Sequence, residues 1–226
     1  MRSFLLSLLL VFTASAHALS LNDLSNRDVV AGLKEALTTG AGKAVDKLGR
    51  VNGFYGNPQV KIPLPHSLQE VNHLLRVFGQ GKYADDLVLA MNRAAEAAVP
   101  EAKTLLVQAV KDMSIKDAKG ILTGGDTAAT RYFRRKTAKP LAAKFLPIVK
   151  RATAKVRLAQ KYDQFAGKAE RFGLVDRNQA SIEQYVTQKA LNGLFFMMAQ
   201  EEKAIRADPV GQTSKLLKTV FGAIGK

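Results

Sequence analysis

The amino-acid sequence predicts an all-α protein with a single multi-helix domain and one long loop rich in glycine and proline near its N-terminus. Three observations lead to this prediction. Apolar residues recur at helical spacing along most of the 226-residue chain. Capping-box patterns precede several of these stretches. Strand-like runs are confined to the loop, and the balance of 47% hydrophobic and 23% charged residues is that of a globular protein.

Residues 1–18 have the pattern of a secretory signal peptide. Arg2 precedes an apolar run that ends at Phe12, and the small residues around Ala16 and Ala18 form a cleavage pattern. The run is about half of the ~18 residues that span a bilayer, so a membrane anchor is the less favoured alternative. We expect cleavage after Ala18, with Ala16 as the second choice. The mature chain, 19–226, should then lie in the periplasm or outside the cell, with no transmembrane segment.

The segment 19–48 is the first helical part of the domain. Ser25 and Asp28 form a capping box, and apolar residues continue along one helical face as far as Leu48. Gly40 and Gly42 each lower helix propensity by about 1 kcal/mol relative to alanine. We therefore expect a bend or a break at these glycines.

Residues 49–66 are predicted to form the long loop, because glycines and prolines interrupt any helix there. Val60 and Ile62 could lie extended, so a very short strand is an option. Long irregular segments are uncommon in compact domains and often carry function. The residues that exclude a helix are Gly53, Gly56, Pro58, Pro63 and Pro65.

The remaining residues, 67–226, are predicted to form the helical core. A helix capped by Ser67 and Glu70 would bury apolar residues from Leu68 to Phe78 and end at Gly79. Ser114 with Asp117 would cap a short helix, and Ser181 would begin a strongly apolar helix that Asp208-Pro209 ends. The other predicted helices cover 83–99, the stretch from Pro100, 127–136, Pro140 to Gln160, about 161–172, and the C-terminal end.

The stretch GILTGGDT, residues 120–127, has the glycine spacing of a phosphate-binding loop. Such a loop needs a lysine where this chain has Asp126, and it follows a buried strand rather than a polar, helix-capped segment. A nucleotide-binding loop is therefore excluded. We expect Gly124 and Gly125 to end one helix and Asp126 to cap the next.

Several long stretches resemble a bacterial family of secreted proteins, domain-of-unknown-function family 4197. They are GNPQVKIPLP, MNRAAEAAVPEAK, MSIKDAKGILTGGDTAATRYFRR, KFLPIVKRATAKV and YVTQKALNGLFFMMAQEEKAIRADPVG. The resemblance runs from about Ser20 to Phe221 in the same order. It implies an all-helical envelope protein of a Gram-negative bacterium, and it implies no activity and no catalytic residues.

The charge distribution is the most informative feature of the sequence. The chain carries a formal net charge of +15. Residues 127–161 contain many basic residues and no Asp or Glu. On a helix from Pro140, the apolar residues share one face and the basic residues flank it, so the outer face should be strongly positive. The aromatic residues Tyr132 and Phe133 should instead be buried.

A basic face of this kind attracts polyanions at long range. The predicted partner is an anionic lipid or a lipopolysaccharide surface, and nucleic acid is less favoured. The alternative is a solvated surface without a dedicated partner, and the sequence indicates no oligomeric state. The candidate anion-binding residues, which lie within 131–161, are Arg131, Arg134, Arg135, Lys144, Lys150, Arg151 and Lys155.

Two other groups of residues suggest alternative functions. Asn92, Arg93 and Glu96 lie on an alanine-rich helix, where they could form a polar cleft for an enzyme of unknown class or an internal hydrogen-bond network. The run Phe195, Phe196, Met197 and Met198 could line the cavity of a carrier for lipids or other apolar ligands, or simply be core.

Nothing in the sequence points to a metal, a cofactor or a catalytic residue. The chain has no cysteine and three histidines, and no histidine pair has the spacing of a zinc motif. We expect a binding protein without bound metal or cofactor, and the sequence leans against an enzyme.

Overall fold

The computed structural model describes residues 26–156, 159–160 and 181–208, and every regular element within them is a helix. This confirms the all-α prediction. The elements are α1 (Asn26–Gly49), α2 (His66–Val77), α3 (Lys82–Ala98), a 3-10 turn (Val99–Glu101), α4 (Ala102–Lys111), α5 (Ile115–Leu122), α6 (Ala128–Thr153) and α7 (Ile182–Ala207).

Some sequence expectations fall outside the described residues. They concern the signal peptide at 1–18, the helix near 161–172 and the C-terminal helix beyond 208. The basic residues Arg157 and Lys161 also lie outside the described part of the chain.

The centre of the molecule is formed by α6 and α7, which pack against each other and against α3, while α1 packs against α4 and α7. Each of these helices buries an apolar face. The fully buried large side chains include Leu33 of α1, Met91 of α3, Phe145 of α6 and Phe195 of α7. One contiguous apolar core therefore holds the helices together.

The first helix runs from Asn26 to Gly49 without a break, so the break at Gly40 and Gly42, one of the two expected outcomes, does not form. Tertiary packing explains the first of the two glycines. A Cβ atom at Gly40 would lie 3.3 Å from Cδ1 of Ile205 on α7, whereas one at Gly42 would meet nothing within 4 Å. The glycine at position 40 lets α7 approach closely, and burial of the α1 face offsets the low helix propensity.

The two helices predicted at 127–136 and from Pro140 form one continuous helix, α6, and the expected boundary at Pro140 is wrong. Pro140 and Pro147 both lie on the exposed side of α6. Water can satisfy the carbonyl groups that lose their N–H partner there. The buried face, with Phe133, Leu141 and Phe145, continues past Pro140 and stabilises the helix across it.

The second helix ends one residue earlier than expected, at Val77. Phe78 is 75% exposed, so its predicted burial is wrong. The reason is local, because Gly79 has a φ angle of +70° that terminates the helix. Phe78 therefore lies in the turn and not on the buried face of α2.

The segment between α1 and α2 consists of turns and irregular backbone, and the optional strand at Val60 and Ile62 does not form. The segment nevertheless belongs to the core. Phe54, Val60, Ile62 and Leu64 are all buried. We call residues 50–65 the core loop.

Two helix caps were predicted for α5 and α6, and one prediction is confirmed while the other is wrong. Ser114 and Asp117 form the expected capping box at the start of α5. Asp126 does not cap α6, which begins at Ala128. Its cap comes from α7 instead, where the buried carboxylate of Glu202 accepts hydrogen bonds from the N–H groups of Ala129 and Thr130, both at 2.9 Å.

Candidate anion-binding groove

A groove of about 560 Å³ lies where the core loop, the first turns of α6 and the middle of α7 meet. We call this space the basic groove, because four cationic side chains line it. They come from three elements that are distant in sequence. These residues are Lys61 of the core loop, Arg131 and Arg134 of α6, and Lys189 of α7.

The cations of the basic groove are held in position by aromatic rings and neutral oxygens. The Arg134 guanidinium lies 4.6 Å from the ring centroid of Phe195 and donates a hydrogen bond of 3.3 Å to Oδ1 of Asn192. Lys61 Nζ lies 4.2 Å from the ring centroid of Tyr55. Such contacts orient a cation without neutralising its charge.

The remaining groove cations have similar support. Arg131 donates a hydrogen bond of 2.9 Å to the hydroxyl oxygen of Thr127. Lys189 Nζ lies 5.4 Å from the ring centroid of Tyr185. No acidic residue is among the described residues that line the groove, so its walls carry an uncompensated positive charge.

The floor of the groove depends on Gly193. A Cβ atom there would lie 2.6 Å from Cε1 of Phe54, which is fully buried, and 3.4 Å from Cβ of Val60. Real Cβ atoms do not approach other atoms so closely. The glycine therefore allows the core loop to lie directly on α7.

The core loop is fixed from the other side by two polar residues of α3. Asn92 is fully buried and exchanges hydrogen bonds with the N–H and the carbonyl oxygen of Ile62, at 2.8 and 2.9 Å. Glu96 Oε1 accepts hydrogen bonds from the N–H groups of Phe54 and Tyr55, both at 3.0 Å. These bonds satisfy loop backbone groups that would otherwise be buried without partners.

The third residue of the predicted polar cleft completes this network. Arg93 pairs with the second carboxylate oxygen of Glu96 and donates a hydrogen bond of 2.8 Å to Oδ1 of Asn52. The structure thus brings Asn92, Arg93 and Glu96 together at the core loop. Their contacts are those of the internal network that the sequence analysis kept as the alternative to a cleft.

The predicted anion-binding residues are all exposed in the structure. Arg131 and Arg134 line the basic groove, the others lie along α6 beyond it, and Lys155 lies in the turn that follows α6. Among the described residues, no acidic side chain forms an ion pair with a basic residue of α6; the pairs that form involve other cations. The residues beyond the groove, which we call the α6 ridge, are Arg135, Lys144, Lys150, Arg151 and Lys155.

The positive field of α6 reaches one neighbouring carboxyl group. The hydrogen bond from the Ser114 hydroxyl lowers the pKa of Asp117 below its ordinary value, and the charges of Lys136 and Arg135 lower it further. Asp117 is engaged in the cap of α5 and forms no ion pair that would neutralise α6.

The run from Phe195 to Met198 does not face a single cavity. Phe195 and Phe196 line the basic groove, whereas Met198 lines a separate cavity of about 30 Å³. Phe195 and both methionines are buried in the core, and Phe196 is 37% exposed. Consecutive helical residues point about 100° apart, so such a division is expected.

Sequence reasoning missed Lys61, Lys189 and Glu202. The two lysines lie outside the basic stretch 127–161, and only the fold brings them beside Arg131 and Arg134. Glu202 is 73 positions from Ala129, so no local pattern could identify it as the cap of α6. The one available indication was a carboxylate within the apolar helix that begins after Ser181.

The described residues contain no group of three His, Asp or Glu side chains that could hold a metal ion. Within the same residues, no helix combines the length and the apolar character needed to span a membrane.

Comparison with known proteins identifies the family of the chain. Searches of curated proteins and of solved structures gave no significant match. A family model matches residues 23–222, which include every element described above. The chain therefore belongs to the family described as protein of unknown function DUF4197.

Proposed function

We propose that this protein is a non-enzymatic binding protein that attaches to an anionic component of the bacterial cell envelope through the basic side of α6. One observation carries the proposal. The predicted cations of α6 are exposed, and no described acidic residue pairs with them. A surface of unpaired charge attracts counter-charged partners over about one Debye length, roughly 8 Å at physiological salt.

The location of the excess charge supports this proposal. Arg2 is the only charged residue in 1–18, so the chain from residue 19 has a net charge of +14. Eleven basic residues lie within 127–161, where no acidic residue occurs. The charge is thus concentrated in one stretch of the sequence, most of which forms α6, as expected for a docking surface rather than for general solubility.

The N-terminal sequence supports an envelope location. The signal-peptide pattern of residues 1–18 would direct the chain to the periplasm or the exterior, with cleavage near Ala18. The polyanions there are phospholipid headgroups and lipopolysaccharide. The intact mass of protein recovered from the periplasmic fraction should correspond to a chain that begins at Leu19. A full-length mass in the cytoplasmic fraction would contradict this location.

The binding proposal is tested by co-sedimentation with vesicles of phosphatidylglycerol and of phosphatidylcholine, at low and at high salt. We expect binding to the anionic vesicles alone, with loss of binding at high salt. The double variant Arg151→Glu/Lys155→Glu should bind at least about tenfold more weakly, because each basic residue near an anionic surface contributes about 1 kcal/mol.

A control variant separates local from overall charge. Lys103→Glu/Lys116→Glu changes the net charge by the same amount at exposed positions on α4 and α5. It should retain most of the binding. Equal losses in the two variants, or equal binding to both kinds of vesicle, would contradict a docking surface on α6.

A further inference from the structure

The basic groove differs from the α6 ridge in the origin of its charges. The ridge is a set of cations along α6 and in the turn that follows it, whereas the groove gathers Lys61, Arg131, Arg134 and Lys189 from three elements. Bringing like charges together is unfavourable unless a ligand or solvent compensates them. In this case the fold fixes the three elements through contacts that do not involve the cations themselves.

Those contacts make the groove a preformed site. Asn92 and Glu96 of α3 form hydrogen bonds with the core loop, and Gly193 allows the loop to lie directly on α7. Glu202 fixes the start of α6 to the same helix α7. The positions from which the cations project are therefore set by buried interactions, which reduces the entropy lost on binding.

The arginine side chains of the groove have more hydrogen-bond donors than their contacts within the protein use. A guanidinium group has five N–H donors. One hydrogen bond of Arg131 goes to Thr127 and one of Arg134 goes to Asn192. Both acceptors are neutral, so the two arginines keep their full charge and further donors for a ligand.

The size and the lining of the groove restrict the ligand. A volume of about 560 Å³ is within the range of small-molecule sites. The lining also includes apolar groups, among them Pro63 and the half-exposed ring of Phe196. A compact ion would leave this apolar surface in water, whereas an organic anion would cover it.

We propose that the basic groove is a binding site for a phosphate-bearing organic ligand with at least two negative charges. Phosphate suits this arrangement because several of its oxygens accept hydrogen bonds from different directions, whereas a planar carboxylate is matched by a single guanidinium. The inference deepens the proposed function and rests on it, because Arg131 and Arg134 belong to both the groove and the docking helix. A lipid headgroup and a free phosphate ester share this chemistry.

The experiment uses isothermal titration calorimetry on the purified protein with two soluble probes. Glucose 1,6-bisphosphate represents a free phosphate ester, and dihexanoylphosphatidic acid below its micellar concentration represents a lipid headgroup. The groove variant is Lys61→Gln/Lys189→Gln, whose positions lie outside α6. The matched control is Lys150→Gln/Arg151→Gln on the α6 ridge, which removes the same charge. All four side chains are exposed, and circular dichroism verifies that both variants fold.

We expect one saturable site per chain for at least one probe. The groove variant should weaken this binding about tenfold or more, and the ridge variant by about twofold or less. Binding of the sugar bisphosphate alone would identify a free phosphate ester as the ligand class, and tighter binding of phosphatidic acid would identify a lipid headgroup.

Other results would overturn the inference without deciding the proposed function. Absence of saturable binding for both probes, or equal weakening by the two variants, would rule out the groove as a phosphate site. Vesicle binding that depends on Arg151 and Lys155 would then still support docking through α6. Loss of both kinds of binding would contradict both proposals.

Discussion

Asn92 pairs with the backbone of Ile62 through both atoms of its side-chain amide. Oδ1 accepts the Ile62 N–H at 2.8 Å, and Nδ2 donates to the Ile62 carbonyl oxygen at 2.9 Å. Nδ2 also donates to the carbonyl oxygen of Val88. The N–H and carbonyl groups of Ile62 are thereby buried with hydrogen-bond partners, although the backbone there is irregular. In a sheet, a neighbouring strand would supply such partners.

Replacement of Asn92 by alanine should destabilise the protein by about 3 kcal/mol. The substitution leaves the buried N–H and carbonyl group of Ile62 without partners. The free energy of unfolding is measured with urea. Gln108→Ala is the control, since Gln108 is exposed and its side chain donates a hydrogen bond to Asp112, the residue that follows α4. It should change stability by about 0.5 kcal/mol or less. Similar costs for both variants would contradict the role of Asn92.

Adjacent glutamates should differ sharply in their contribution to stability. Glu202 is buried, caps α6 and pairs with Arg206, so Glu202→Ala should cost about 3–5 kcal/mol. The Glu201 side chain is 12% exposed but pairs with Lys47, which is 52% exposed. Water can solvate the Lys47 charge that remains after Glu201→Ala, so this substitution should cost about 1 kcal/mol or less. Thermal and urea unfolding compare the two variants at the same net charge. The interpretation of Glu202 fails if the two costs are alike.

Two glycine-to-alanine substitutions within helices should have opposite signs. Gly193→Ala places a Cβ atom against the buried ring of Phe54 and should destabilise by about 1–3 kcal/mol. Gly120→Ala on α5 meets nothing within 4 Å and should stabilise by about 0.5–1 kcal/mol, through better helix propensity. Unfolding midpoints in urea measure both effects. A neutral or stabilising Gly193→Ala would show that the core loop does not lie on α7 as described.

Tyr132 should make stability sensitive to alkaline pH. Burial raises the pKa of its hydroxyl group above the ordinary value of 10.0, and the charges of Asp117 and Asp112 raise it further. Above pH 10.0 the unfolded chain loses this proton while the folded chain retains it. The stability that Tyr132 contributes is therefore present below this pH and is lost as the pH rises through the folded pKa.

The measurement is the free energy of unfolding between about pH 8 and 11, an interval that brackets the ordinary pKa of tyrosine. Tyr132→Phe removes both the ionisation and the hydrogen bond of 2.7 Å to the Ala109 carbonyl oxygen, so it should be less stable near neutrality. Its stability should then fall less steeply above pH 10.0 than that of the unsubstituted chain. Tyr83→Phe, at a position 46% exposed, is the control, and equal alkaline slopes for the two variants would contradict the role of Tyr132.

Local patterns predicted those parts of the fold that local interactions determine. The capping box of Ser114 and Asp117 begins α5 as expected, and Ser181 caps α7 by accepting a hydrogen bond from the Gln184 N–H. The same local rules were wrong at Pro140, where a buried apolar face continues the helix through a proline. They were also wrong at Asp126, because a carboxylate from another helix supplies the cap.

The candidate site could be predicted only in part, for a related reason. The acid-free stretch 127–161 indicates a basic helix, and its described cations are indeed exposed. The groove, however, requires Lys61 and Lys189 to meet Arg134, and their proximity depends on how the core loop packs on α7. Charge patterning along a chain carries no information on contacts between distant segments.

The capping of α6 by Glu202 determines how an anion can be recognised beside it. The first turn of a helix ordinarily offers free N–H groups and a partial positive charge to an anion. Here Ala129 and Thr130 already donate theirs to the carboxylate of the protein itself. An anion in the groove must therefore rely on long, independent side chains from separate elements. Recognition of this kind is multivalent, and its affinity should decline in steps as cations are removed rather than vanish with any single one.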